Sequence, residues 1–358
     1  MHIHMRKYLS HLLMTCMVLG STACNSTKQL GIHTMEPAAV DLSKTIKRIG
    51  IINSSIPAER AEYKDRLDQI LSVQDQELAK QGTDAAINGL FDELTKDQRF
   101  EDILLLEDVP EVMKGMDQAP SEGTWNTIET LCRKHGVDAI FSLAYYDTDT
   151  KISLKKTKME QRNLMRERVE LKAHELTLET LIENGWRIYD PGHKEVIDEF
   201  TFNDQIMASA KGISPMGALR AITDRKDSVL QKSMTTGSAY GSRLHPSEQV
   251  IYRDYYVRGT DNFMAAEKRT LEEDYRGAAA LWEQDVEHSN AKIRAKACHN
   301  IAVIHEFNGA LDLAMEWVTR ALTHHNNKRT AGYLKLLQHR ISQEEVIREQ
   351  LTYTSISK

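Results

Sequence analysis

The sequence predicts an α+β protein: a mixed β-sheet with packed helices, followed by an all-α helical repeat domain. Three observations carry that reading. Short aliphatic runs alternate with amphipathic helical segments up to Leu143, extended segments then follow one another as far as Phe202, and from Ser247 onward small residues recur at helix-hairpin spacing. The chain has 358 residues, 41% of them apolar and 27% charged, which is ordinary for a globular protein and too long for one core. The boundaries read as 1–23 for a signal segment, 24–45 for an anchor and tether, 46–246 for the mixed α/β domain and 247–358 for the helical domain.

Arg6-Lys7 precede an apolar run from Tyr8 to Leu19, and Gly20-Ser21-Thr22-Ala23 lead into Cys24. A positive start, a short apolar middle and small residues at the end make an export signal, and the run is shorter than the roughly 20 apolar residues that span a bilayer. Residues 25–45 are polar and read as a tether. Ile46–Asn53 is a buried strand. Arg60–Gly82 is helical, and Asp84 caps a further helical segment, Ala85–Leu94. Phe100–Leu106 is a second strand, Thr124–His135 an amphipathic helix through Trp125, Ile128, Leu131 and Cys132, and Gly136 ends it before a third strand, Val137–Leu143.

Val169 to Thr180 alternates as an extended segment. Asn184-Gly185 predicts a tight hairpin turn before Trp186–Tyr189, because both residues accept positive φ. Asp190-Pro191-Gly192-His193 makes a second turn and Val196–Phe202 another strand. A helix over Met216–Lys232 and a loop over Gly237–Ser242 close the domain. Between the third strand and the meander, Lys151, Lys155, Lys156, Lys158, Arg162, Arg166 and Arg168 gather with Glu160 and Glu167. Such a segment is either a solvated strand edge or a surface for lipid headgroups, anionic glycan or an acidic partner.

In the C-terminal region, residues 295–328 place Ile301-Ala302 in a first helix, Gly309 at the turn, and Ala314 and Ala321 in a second. An earlier copy aligns Ala266, Tyr275, Ala278 and Trp282 with Ala302, Leu311, Ala314 and Val318. Small residues at these points allow close helix approach, and Tyr333–Leu351 supplies a closing helix. The pattern resembles tetratricopeptide repeats, whose period is about 34 residues. That resemblance implies a groove for a peptide or partner helix, which Asn262, Arg269, His299, Asn300 and His305 would line.

The small residues ahead of Cys24 resemble the lipobox of bacterial lipoproteins, which implies acylation of Cys24 and a membrane partner through the lipid. Lys134-His135-Gly136-Val137-Asp138, with the Ile46–Asn53 strand, resembles envelope lipoprotein domains, among them those of curli secretion, penicillin-binding-protein activation and Tol-Pal translocation. Pro37-Ala38, Gly185–Pro191 and Arg253-Asp254-Tyr255-Tyr256 resemble a Bacteroides-group lipoprotein family in which tetratricopeptide repeats commonly follow. Because Asn25-Ser26-Thr27-Lys28 carries no acidic run, these resemblances imply anchoring at the periplasmic face of the outer membrane.

Net charge is −6 and becomes more negative once Arg6 and Lys7 leave, which argues against a nucleic-acid partner. No metal-ligand spacing and no nucleophile–base motif stands out, so neither cofactor nor metal is predicted. Cys132 and Cys298 read as buried small hydrophobes, with a disulfide between them left open. The expected function is a non-enzymatic envelope scaffold that binds a protein or peptide. The alternative is a small-ligand receptor or enzyme with a pocket between the domains near Trp186, Tyr189 and Tyr240.

Overall fold

The computed structural model of the chain describes residues 26–56, 66–107, 109–110, 113, 119–162 and 165–355. The expected signal segment and Cys24 lie outside the described residues. The chain forms two compact units, one taking the residues up to Pro37 with Ser247–Arg348, the other Ala38–Pro246 with the residues from Glu349 onward. The architecture is α+β with a helical repeat region after it, and among the described residues no helix is long and apolar enough to cross a membrane.

The platform unit is built on a five-stranded mixed sheet of β2 (Arg48–Asn53), β3 (Asp102–Leu106), β4 (Ala139–Arg162), β5 (Arg168–Asp190) and β6 (Glu195–Gly212), in the order β3-β2-β4-β5-β6. The first three strands in that order run parallel, and β4, β5 and β6 pair antiparallel. β2 buries Ile49, Ile51 and Ile52, as an inner strand covered on both faces must. Asp138 fixes where β4 starts against it, its carboxylate accepting from the Lys47 and Arg48 amides at 2.9 and 2.8 Å.

α1 (Arg66–Leu94) and α4 (Arg225–Ser242) cover one face, closing over Leu90, Phe141, Trp186 and Val229. α2 (Glu122–His135) covers the other with Trp125, Ile128 and Leu131, and α3 (Pro215–Ala221) packs on Leu176 and Leu178. α2 is capped by Ser121 and ends at Gly136 in the left-handed region, φ 69°.

Three local expectations are corrected. Asn184-Gly185 makes no turn, because β5 runs straight through it: Asn184 is buried, its Nδ2 donates to Thr236 Oγ1 at 3.1 Å, and its Oδ1 accepts from Trp186 Nε1 at 2.8 Å. Asp84 caps nothing, since α1 is continuous across it. Gly237–Ser242 is not a loop but the last turns of α4. Gly237 and Gly241 lie on one helical face, and a Cβ at Gly237 would strike the Ala86 carbonyl of α1. The glycines there are the contact through which two helices touch backbone to backbone.

The second unit corrects the tether. Within residues 24–45, Thr27–Glu36 forms β1, which pairs antiparallel with β7 (Ser247–Tyr256) from Thr27↔Tyr256 to Glu36↔Ser247. Leu30 and Ile32 turn inward, the alternation expected of a ribbon with one buried face. Beneath it lie α5 (Asp261–Leu271), α6 (Tyr275–Glu283), α7 (Ala291–Phe307), α8 (Leu311–His324) and α9 (Lys328–Ser355). Ala266, Ala278, Trp282, Ala302, Ala314 and Ala321 are all 0% exposed, and Gly309 takes φ 75° at the α7–α8 turn. α9 buries Tyr333 and Leu337.

Candidate partner-binding cleft

Within the helical unit, the open ends of β1 and β7, the first turn of α5 and the start of α9 enclose a cleft of about 960 Å³. It forms because β7 stops short of α5 and the linking residues Arg258 and Gly259 are exposed. The stop is enforced from behind. Asn300 of α7 clamps Tyr256 in both directions, Oδ1 accepting its amide at 2.7 Å and Nδ2 donating to its carbonyl at 2.6 Å. Lys296 Nζ donates to the Arg258 carbonyl at 2.8 Å. Thr260, the residue before α5, sends its hydroxyl to Asp285 Oδ2 at 2.5 Å and makes no side-chain cap on the helix.

One wall is a network. Arg329 Nε meets Asp254 Oδ2 at 3.1 Å, Arg329 Nη1 donates to Thr27 Oγ1 at 3.2 Å, and Gln29 Nε2 donates to Asp254 Oδ1 at 3.3 Å. The other wall is closed by Lys28 and Glu267, 2.6 Å apart. Lys296 Nζ and the Arg329 guanidinium lie 5.4 and 5.8 Å from the centre of the Tyr256 ring. Burial, with Lys292 second, holds the Lys296 ammonium below its ordinary value. Met264, 59% exposed, gives the cleft a flexible apolar contact, and Arg258 and Asp261 have no ion-pair partner among the described residues. Such a surface offers a cation, an anion, an apolar anchor and donors, the vocabulary of peptide recognition.

The residues expected to line a groove do not come together there. His299 is 1% exposed: its Nε2 donates to the Asp254 carbonyl at 2.9 Å, and its Nδ1 accepts the Thr330 hydroxyl at 3.1 Å. Burial pulls its pKa down to about 4, against the pull of the Asp254 carbonyl. His299 and Asn300 therefore support β7 from inside. Arg269 is exposed in the last turn of α5 and pairs with Asp274 at 2.6 Å, while Asn262 and His305 are half-buried. The cleft residues were missed because β1, β7, α5 and α9 meet only after folding. The local signal for them was Arg258-Gly259-Thr260 ahead of a helix.

The platform offers two further hollows. One of about 670 Å³ lies among α1, β5 and α3, lined by Leu78, Leu178, Met216 and Leu219 with Arg220 and Lys226. At the β5–β6 turn, Asp190, His193 and Glu195 bring possible metal-ligand atoms within 4.8 Å of one another. Asp190 Oδ1 is already spent on the Gly192 and His193 amides at 2.8 and 3.3 Å, and Oδ2 lies 2.7 Å from His193 Nδ1, so these groups hold the turn. Trp186, Tyr189 and Tyr240 are buried and line none of these hollows. Trp186 and Tyr240 stack at 5.2 Å inside the core, and Tyr189 meets Trp125 edge-on at 6.0 Å on the opposite face. Cys132 and Cys298 are buried free thiols.

A family model described as "Domain of unknown function (DUF8603)" matches residues 46–256, and a second, "Domain of unknown function (DUF6340)", matches 264–342. No curated protein matches the chain. Among solved structures it is similar to the PelC dodecamer from Paraburkholderia phytofirmans, at 9% identity over 60% of this chain and 96% of that one, TM-score 0.24. It is similar to a putative neuraminyllactose-binding hemagglutinin homolog from Helicobacter pylori at 8% identity over 57% and 89%, TM-score 0.23. The hypothetical protein CT253 from Chlamydia trachomatis follows at 11% identity over 54% and 99%, TM-score 0.17.

Proposed function

We propose, for a chain that belongs to the family described as a domain of unknown function (DUF8603), that it is a non-enzymatic cell-envelope lipoprotein acting as a scaffold. Acylation at Cys24 tethers it, on the periplasmic face of the outer membrane, and its tetratricopeptide-like unit receives a protein or peptide. The observation that carries the reading is the cleft at the β7–α5 junction, where Arg258, Asp261 and exposed Met264 stand among side chains already paired with one another. Paired walls give a rigid frame, and the three uncommitted groups supply contacts to an incoming segment.

Crosslinking in the envelope fraction, followed by purification of the full chain, tests it. The double variant Arg258→Glu/Met264→Asp should lose partners that the native chain retains. Identical partner lists would remove the cleft from the account. Cys24→Ser should move the protein from the membrane to the soluble fraction, and sedimentation with lipid unchanged would remove the anchor.

A second reading is supported by the 670 Å³ hollow in the platform, whose apolar floor and rim of Arg220 and Lys226, with Glu77 as its acid, suit a small amphiphilic anion. Met216→Asp would abolish such binding and leave the partner list intact.

A further inference from the structure

β4 and β5 outrun the rest of their sheet. The last pair that β6 makes with β5 is Gly212↔His174, yet β4 and β5 stay paired out to Arg162↔Arg168. At roughly 3.4 Å per residue this leaves a two-stranded arm about 20 Å long. A hairpin of that kind is marginal in water by itself.

Its two faces differ in chemistry. Alternation places Lys156, Lys158, Arg162, Arg168 and Lys172 on one face with only Glu160 and Glu170 among them. Two of those cations are paired, Lys158 with Glu170 at 2.7 Å and Arg168 with Glu160 at 3.7 Å. Lys156, Arg162 and Lys172 have no ion-pair partner among the described residues. The opposite face carries Thr157, Met159, Gln161, Val169, Leu171 and Ala173, of which Gln161 is exposed, Met159, Val169 and Leu171 are half-buried and Ala173 is buried, and Met165 near the tip is 79% exposed. The segment expected either to be a solvated edge or to bind an anionic surface is therefore an amphipathic ribbon, basic on one side and largely apolar on the other, with Gln161 the exposed polar exception.

We propose that this arm lies on an anionic bilayer surface, its apolar face against the acyl boundary and its lysines and arginines among the headgroups. The ribbon is thin enough for cations on its upper face to remain inside the headgroup layer while Met159, Val169 and Leu171 sink below it. An acidic polypeptide or glycan would satisfy the cations and leave the exposed parts of Met159, Val169 and Leu171 in water, so the two faces together select the bilayer. The arm's residues carry this inference independently of acylation at Cys24.

Vesicle flotation with the full chain tests it, using phosphatidylglycerol-containing vesicles against pure phosphatidylcholine. Each cation near an anionic surface is worth roughly fivefold in partitioning, so Lys156→Gln/Arg162→Gln/Lys172→Gln should weaken binding to the anionic vesicles by on the order of a hundredfold. Binding to phosphatidylcholine should not change, and since every chain compared has the same N-terminal segment, the difference belongs to the arm. These three side chains are exposed, and an unchanged far-UV spectrum shows that the variant is folded. Met159→Ser/Leu171→Ser, which keeps every charge, should also weaken binding. Anionic-vesicle binding equal to the native chain's in either variant would overturn the proposal, as would soluble polyglutamate displacing the native chain from the vesicles. None of these results bears on Cys24→Ser fractionation, so the arm and the anchor fail separately.

Discussion

Glu306 of α7 is 0% exposed and serves two guanidiniums at once. Arg253 of β7 donates Nε to Oε2 at 2.9 Å and Nη2 to Oε1 at 3.0 Å, and Arg340 of α9 donates Nη1 to Oε1 at 2.8 Å. The arginine side chains are 11% and 12% exposed, so neither can turn to water when the carboxylate goes. Removing one partner of a buried pair costs about 3–5 kcal/mol, and here two cations are stranded, which puts Glu306→Ala at about 5 kcal/mol. At roughly 3–5 °C per kcal/mol for a unit of this size, the calorimetric transition of the helical unit should fall by about 15–25 °C. Glu306→Gln keeps the shape and one acceptor and should fall less. The triple change Arg253→Met/Glu306→Leu/Arg340→Met replaces the network with apolar side chains of similar bulk and should recover most of the loss. A shift below about 1 kcal/mol for Glu306→Ala, or a triple variant no better than the single one, would mean that the buried carboxylate does not hold these two arginines.

Gly237→Val drives a side chain into the Ala86 carbonyl and should lower the platform's stability by about 3 kcal/mol or more in urea titration, whereas Ser238→Ala, adjacent but off the closest contact, should cost under about 1.5. His299 gives the helical unit a defined acid sensitivity. Unfolded, the imidazole takes a proton near its ordinary 6.5; folded, burial keeps it neutral down to about 4. Stability should therefore fall by about 3 kcal/mol as pH drops from 6.5 to 4 and this contribution should level off below that, a slope that His299→Gln removes. Burial pushes the thiols of Cys132 and Cys298 up to about 12 and about 11, so iodoacetamide at pH 8 should label neither in the native chain and both after unfolding.

What could be read from the sequence was whatever local pattern and burial agree on. The aliphatic run of β2 can only be an inner strand, and the small residues at 266, 302, 314 and 321 sit where helices meet, each fully buried. Asn184-Gly185 misled because turn propensity is a local preference, and Asn184 instead spends its amide on Thr236 and Trp186, partners supplied by the fold. The glycines of α4 look like a loop until α1 arrives to fill the groove they leave. β1 was hidden in a polar stretch because its partner is distant in sequence, Thr27 against Tyr256; the alternation of Leu30 and Ile32 was its only trace. His299 and Asn300 read as groove residues from the sequence because they are polar side chains on a repeat's first helix. Here β7 lies over that helix and buries them.

The most direct test of the scaffold role is site-specific photocrosslinking in the native envelope, with a photoreactive residue in place of Met264 inside the cleft or of Leu271, 66% exposed at the other end of the same helix. The account predicts a discrete protein adduct from position 264 and none from 271. Adducts of equal yield from both positions, or from 271 alone, would contradict it.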